Sequence, residues 1–213
     1  MNKPLREGIL FILCGPAGAG KTTVAHYLTE KYPPCSFSVS VTSRAPRIGE
    51  KDGVDYHFVS EDVFKQKIAA NEFFEYENVH GRYYGTLKSV VIDALNAGKD
   101  LLLDIDIKGA LTFKRNLPKN AVIVFLLPPS TDVLKARLLN RGKIDEAEMK
   151  RRLQTAGEEY DTLLAESNSG IIDYVLINED LSLTCSSVAD ILKAERLRLT
   201  RTNKDLLKSI CVI

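Results

Sequence analysis

Neither sign of charge dominates this chain of 213 residues: 29 Lys and Arg stand against 28 Asp and Glu, for a net charge of +1. That balance excludes attachment to nucleic acid or a membrane surface through bulk charge, so any anion site must come from local clusters. Cysteine is sparse as well. Cys14, Cys35, Cys185 and Cys211 form no C-x-x-C pair, and no His stands at metal-ligand spacing, which removes zinc-finger and disulfide-scaffold architectures. Cys211 is third from the end rather than fourth, which excludes a prenylation signal. No charged-then-apolar segment opens the chain, and no apolar run is long enough to span a bilayer. There is no internal repeat and no low-complexity tract. The expectation is one α/β domain in the cytoplasm, with neither nucleic acid nor membrane as partner.

What the chain does have is a phosphate-binding signature. Gly15-Pro16-Ala17-Gly18-Ala19-Gly20-Lys21-Thr22 matches G-x-x-x-x-G-K-[ST] at every fixed position. The apolar run Ile9–Cys14 precedes it as a buried strand would. Val24, Tyr27 and Leu28 follow at helical spacing until Pro33-Pro34. The motif therefore falls between a strand and a helix N-terminus, where its chemistry requires it. Glycines let backbone N–H groups turn toward an anion, and the helix dipole adds favourable potential. Lys21 can reach the β- and γ-phosphates of a nucleotide, and the Thr22 hydroxyl can ligate Mg²⁺.

Continuous apolar runs at Leu101–Leu103 and Val122–Leu127 read as strands covered on both faces. Strands are expected at Ile9–Cys14, Phe37–Val41, Leu101–Ile107, Ala121–Leu127 and Tyr174–Ile177. Helices are expected at Thr22–Tyr32, Lys88–Ala97, Thr131–Asn140, Asp145–Ala165 and from Ser186 to about Thr200. The alternation implies a parallel sheet between helices. Residues 41–87 break it with short alternating stretches, including Phe73–Val79, and read as a mostly β insert in which Ser60-Glu61-Asp62 starts a helix. A charge-rich stretch at 133–156 reads as a mobile helical hairpin.

Two further clusters carry chemistry. The apolar run Leu101-Leu102-Leu103 ends in Asp104-Ile105-Asp106, with both carboxylates expected on one side of a strand at the ligand-binding edge of the sheet. Asp104 is suited to hold a water of a Mg²⁺ shell. Arg44 and Arg47 flank Pro46, and two guanidinium forks in a stiffened loop can grip a phosphate.

The run Ser38-Val39-Ser40-Val41-Thr42-Ser43-Arg44-Ala45-Pro46-Arg47-Ile48-Gly49-Glu50, with Gly53, Asp55 and Tyr56 beyond it, resembles the guanylate kinase family in order and distance. So do Glu75, Gly81-Arg82-Tyr83-Tyr84-Gly85-Thr86 and Leu103-Asp104-Ile105-Asp106. The likeness runs from about Leu10 to Leu181, and Ser43 stands where the family pattern has a second Thr. The resemblance implies a P-loop NTPase-type parallel sheet flanked by helices, with an inserted, mostly β GMP-binding subdomain and a helical lid. It implies a single domain over 1–213: core 1–40, 88–132 and 157–213, GMP insert 41–87, lid 133–156. It implies a kinase of purine nucleotide metabolism that uses ATP and Mg²⁺ to phosphorylate GMP and dGMP.

It also implies roles. Gly15, Pro16, Ala17, Gly18, Ala19, Gly20, Lys21, Thr22 and Thr23 would bind ATP, with Asn178 against its adenine. Arg44, Arg47, Tyr56 and Tyr84 would hold the GMP phosphate. Glu75 would accept from guanine N1–H and the 2-amino group, with Ser40, Thr86 and Asp106 adding contacts to the base. Thr22 and, through water, Asp104 would hold the metal. Lys21, Arg137, Arg141 and Arg152 would be catalytic, the three arginines closing from the lid over the transferred group. Non-catalytic modules of this resemblance lose phosphate-loop or GMP-site residues, whereas Lys21, Thr22 and Asp104 are present here.

Overall fold

The computed structural model describes residues 4–79, 81–140 and 145–210. Its centre is a five-stranded parallel sheet of β1 (Leu10–Cys14), β2 (Cys35–Phe37), β7 (Asp100–Asp104), β8 (Ala121–Leu127) and β9 (Tyr174–Ile177), in the order β2-β7-β1-β8-β9. Every residue of β1 is buried. Phe11 and Leu13 face one layer, where Val24 and Leu28 of α1 (Lys21–Lys31) and Val188 and Leu192 of α7 (Leu181–Arg196) cover them. Leu10 and Ile12 face the other, under Val91 of α3 (Lys88–Asn96) and Ala110 and Phe113 of α4 (Ile107–Asn116). Burial on both faces explains why these strands read as unbroken apolar runs.

A second sheet carries β3 (Val41–Thr42), β4 (His57–Phe58), β5 (Phe73–Val79) and β6 (Arg82–Leu87), in the order β4-β3-β6-β5. The helix α2 (Glu61–Ala69) packs on it through Phe64, which stacks on Phe73 at 4.4 Å. As expected from Ser60-Glu61-Asp62, the Ser60 hydroxyl accepts from Val63 N and caps α2. A bulge between Phe73 and Glu75 lets adjacent side chains serve three places. Phe73 enters the insert's own core, Phe74 stacks on Phe113 of α4 at 4.3 Å, and Glu75 pairs across the ladder with Thr86.

The remaining helices are α5 (Thr131–Asn140), α6 (Glu146–Leu164) and α8 (Lys204–Ile210). Leu134 and Leu138 of α5 pack against Ala156 of α6, and Tyr160 of α6 joins that cluster to the main core.

Three expectations need correction. The strand expected at Phe37–Val41 is two strands in different sheets, because the chain leaves the core after Phe37 and re-pairs at Val41 with β4 and β6. The strand expected to run to Ile107 ends at Asp104. Asp106 is the N-cap of α4, its Oδ1 accepting from Gly109 N at 2.8 Å, so Asp104 and Asp106 do not share a strand face. The last long helix begins at Leu181, not Ser186, because Asp180 caps it by accepting from Leu183 N.

Candidate active site

The phosphate loop leaves β1 at the point where the chain order of the core sheet reverses, beyond the strands' carboxyl ends. Gly15, Gly18 and Gly20 have φ of 125°, 93° and 101°. A Cβ at Gly15 would strike the Leu126 carbonyl oxygen, and one at Gly20 would strike the Asn178 side-chain amide. The loop is held by its neighbours as well as by its own conformation. Lys21 Nζ donates to the carbonyls of Gly15 (2.6 Å) and Pro16 (3.3 Å) and lies 3.8 Å from Asp104 Oδ1. Thr22 Oγ1 donates to Asp104 Oδ2 at 2.9 Å.

Thr22 and Asp104 thus bring a hydroxyl and a carboxylate together beside the loop, a hard-oxygen donor set suited to Mg²⁺. Among the described residues no group of three or more His, Cys, Asp or Glu side chains could hold a metal ion.

From the loop, a cleft of about 340 Å³ runs between the core and the insert. Lys21 and Asp104 line it. Arg44, Tyr56 and Tyr84 line it as well, and the two tyrosine rings meet edge to face at 5.9 Å. Arg47 also reaches the cleft and is largely exposed. Ser40, Glu75 and Asp106 line the cleft too.

Glu75 Oε1 accepts from Thr86 Oγ1 at 2.7 Å, and Thr86 is 1% exposed. Gly109, in the first turn of α4, leaves room for Glu75 Oε2, which lies 3.2 Å from where a Cβ there would stand. Burial pushes the Glu75 carboxyl up to about 7; the Thr86 bond works against that shift and the nearby Asp106 charge adds to it.

The three arginines expected to close over the transferred group divide. Arg137 Nη2 donates to the Asn178 carbonyl at 2.8 Å, and its Nη1 is buried without a partner. Arg152 Nε donates to Glu148 at 2.8 Å, one turn away on α6. Arg141 lies outside the described residues.

Asn178 departs from its expected place against adenine. It is 2% exposed, and its side chain points inward: Nδ2 donates to the Ala19 carbonyl at 2.7 Å, and Oδ1 accepts from Thr184 Oγ1 at 3.1 Å. The amide braces the back of the phosphate loop.

Glu159 belongs to this site and escaped the sequence reading. It lines the cleft from α6, together with Thr155 one turn earlier. Its Oε2 is buried without a hydrogen-bond partner. Burial pushes its carboxyl up to about 7, Lys21 pulls it back, and Asp106 and Asp104 add to the rise. In sequence it is one of many acidic residues on a charged helix, and only the docking of that helix against the cleft distinguishes it.

The family model for guanylate kinase matches residues 7–195. The chain belongs to the guanylate kinase family. It is 44% identical to the guanylate kinase of Maricaulis maris over 196 residues, 92% of this chain and 87% of that one. It is 40% identical to that of Carboxydothermus hydrogenoformans, over 93% and 94% of the two chains. The crystal structure of guanylate kinase from Anaplasma phagocytophilum superposes with a TM-score of 0.77 at 32% identity, covering 96% and 95%. No helix among the described residues is long and apolar enough to cross a membrane.

Proposed function

We propose that this chain catalyses ATP + GMP → ADP + GDP, and accepts dGMP, by direct in-line transfer of the γ-phosphoryl group. The observation that carries the reading is Glu75, held by Thr86, in the same cleft that Lys21 of the phosphate loop lines. A carboxylate can accept two parallel N–H bonds from guanine, whereas adenine offers no such pair of donors. Thr86 occupies Glu75 Oε1 and fixes the carboxylate plane. Ser40 and Asp106, which line the same cleft, add contacts to the base.

Arg44, Arg47, Tyr56 and Tyr84 take the GMP phosphate. The backbone N–H groups of 15 and 17–23 and Lys21 take the phosphates of ATP, with Asn178 bracing the loop from behind rather than touching the base. Thr22 and, through water, Asp104 would hold Mg²⁺, which would offset the charge that develops in transfer. Arg137, whose Nη1 awaits an acceptor, Arg152 and Arg141 supply positive charge around the transferred group. The division into core 1–40, 88–132 and 157–213, insert 41–87 and lid 133–156 gives closure a purpose: it excludes water, the competing acceptor. The proposed location is the cytoplasm.

A coupled assay of ADP formation with GMP, dGMP, AMP, CMP and UMP tests the reading. Turnover with GMP and dGMP alone is expected. Equal turnover with AMP would overturn it.

A further inference from the structure

Glu50 touches neither the phosphate loop nor the base end of the cleft, yet it organises the Arg44–Arg47 turn. Arg44 Nη1 and Nη2 donate to Glu50 Oε2 and Oε1, both at 2.9 Å, and Nη1 also donates to the Ala45 carbonyl at 2.8 Å. Those bonds use both hydrogens of Nη1 and one of Nη2. The Nε–H and the second Nη2–H remain, and in a planar guanidinium they point the same way along one edge. Nε is buried and has no partner in the protein. A buried donor in that state is costly until something accepts from it.

The plane of this fork is fixed from other directions too. The Arg44 guanidinium carbon sits 5.3 Å from the Tyr56 ring centroid and 5.7 Å from that of Phe58. Glu50 Oε2 also accepts from Arg47 N at 2.7 Å, and Glu50 N donates to the Arg47 carbonyl at 3.1 Å, closing the turn that carries the second arginine. Arg44 in turn holds the Glu50 carboxyl below its usual range, helped by the Arg47 backbone N–H.

We propose that Glu50 is a positioning residue for acceptor binding: it occupies the end-on edge of Arg44 so that the Nε/Nη2 edge faces the phosphate of GMP. The proposal rests on the GMP reading of the cleft given above.

A carboxylate near a phosphate also repels it, so the sign of its removal is informative. If Glu50 merely competed with phosphate for Arg44, neutralising it would tighten GMP binding. The bond pattern argues otherwise, because Glu50 and a phosphate use different edges of the fork. Loss of the carboxylate frees Arg44 to rotate and weakens the bidentate grip.

The test is calorimetric titration of GMP and of guanosine into the wild type, Glu50→Gln, Arg44→Ala and the double variant, with turnover measured in parallel. Guanosine keeps the base and lacks the phosphate. Glu50→Gln is expected to weaken GMP about tenfold, to leave guanosine binding and kcat within about twofold, and to add nothing once Arg44 is gone. Unchanged or tighter GMP binding overturns the proposal. So does an equal loss for guanosine, which would mark Glu50 as a general support of the insert. A wild type that binds GMP but forms no GDP removes the kinase reading and leaves this one standing.

Discussion

Thr86 donates its hydroxyl hydrogen to Glu75 Oε1 at 2.7 Å from directly across the β5–β6 ladder. The bond orients a carboxylate that burial raises to about 7 even with this bond acting against the rise. On the proposed reading, guanine recognition and its dependence on pH rest on this pair. Base recognition needs the ionised form, so GMP affinity should rise between about pH 6 and 8 as Glu75 loses its proton, and binding should release a proton over that range. Titration calorimetry in buffers of different ionisation enthalpy reads this directly. The phosphate of GMP also titrates near pH 6, so the Glu75 contribution is the part that guanosine shows as well.

The same burial predicts a stability trend. Glu75 and Glu159 are each raised from 4.5 to about 7 in the folded state. Each therefore binds more protons folded than unfolded between those values. The stability this confers is full below pH 4.5 and is lost as pH rises to about 7. Without nucleotide, Glu159→Gln should be more stable than wild type at pH 8, and that advantage should vanish at pH 4.5. Denaturant melts at the two pH values check it; an equal effect at both would contradict the assigned shift.

Lys21→Ala should leave a folded protein whose kcat is lower by orders of magnitude. Lys21 Nζ donates to the Gly15 and Pro16 carbonyls, and in the proposed reaction it meets the γ-phosphate as it is transferred. Rapid-quench measurement of a single turnover separates this loss of chemistry from slow product release.

Asn178→Ala should cost about 1–3 kcal/mol of stability, since it leaves the Ala19 carbonyl and the Thr184 hydroxyl without their bonds. It should also raise KM for ATP more than KM for GMP, because the brace acts on the phosphate loop. Gly157→Ala is the contrasting change. Nothing lies within 4 Å of a Cβ there and α6 runs through it unbroken, so the variant should be more stable by about 0.5–1 kcal/mol with kcat unchanged.

Signals carried by local chemistry were legible in the sequence. The phosphate loop needs glycines and a lysine at fixed spacing, and β5 appeared at Phe73–Val79 as read. What was missed depends on tertiary context. Helix α4 was hidden because Asp106, after an apolar strand, looks like a strand end until its carboxylate is seen capping Gly109. Asn178 carries no mark that distinguishes a base contact from a loop brace; that depends on where Ala19 and Thr184 fall. Glu159 and Glu50 are ordinary acidic residues until the cleft wall and the Arg44 fork are assembled around them.

The most direct check on guanine recognition is initial-rate kinetics of Glu75→Gln with GMP and ATP varied in turn. Glutamine keeps the shape of the side chain but replaces one acceptor oxygen with a donor facing guanine's donors. The KM for GMP should rise by an amount equivalent to roughly 2–4 kcal/mol, with KM for ATP nearly unchanged. If both constants shift equally, or neither does, Glu75 is not the residue that reads the base, and the assignment of this cleft to GMP is wrong.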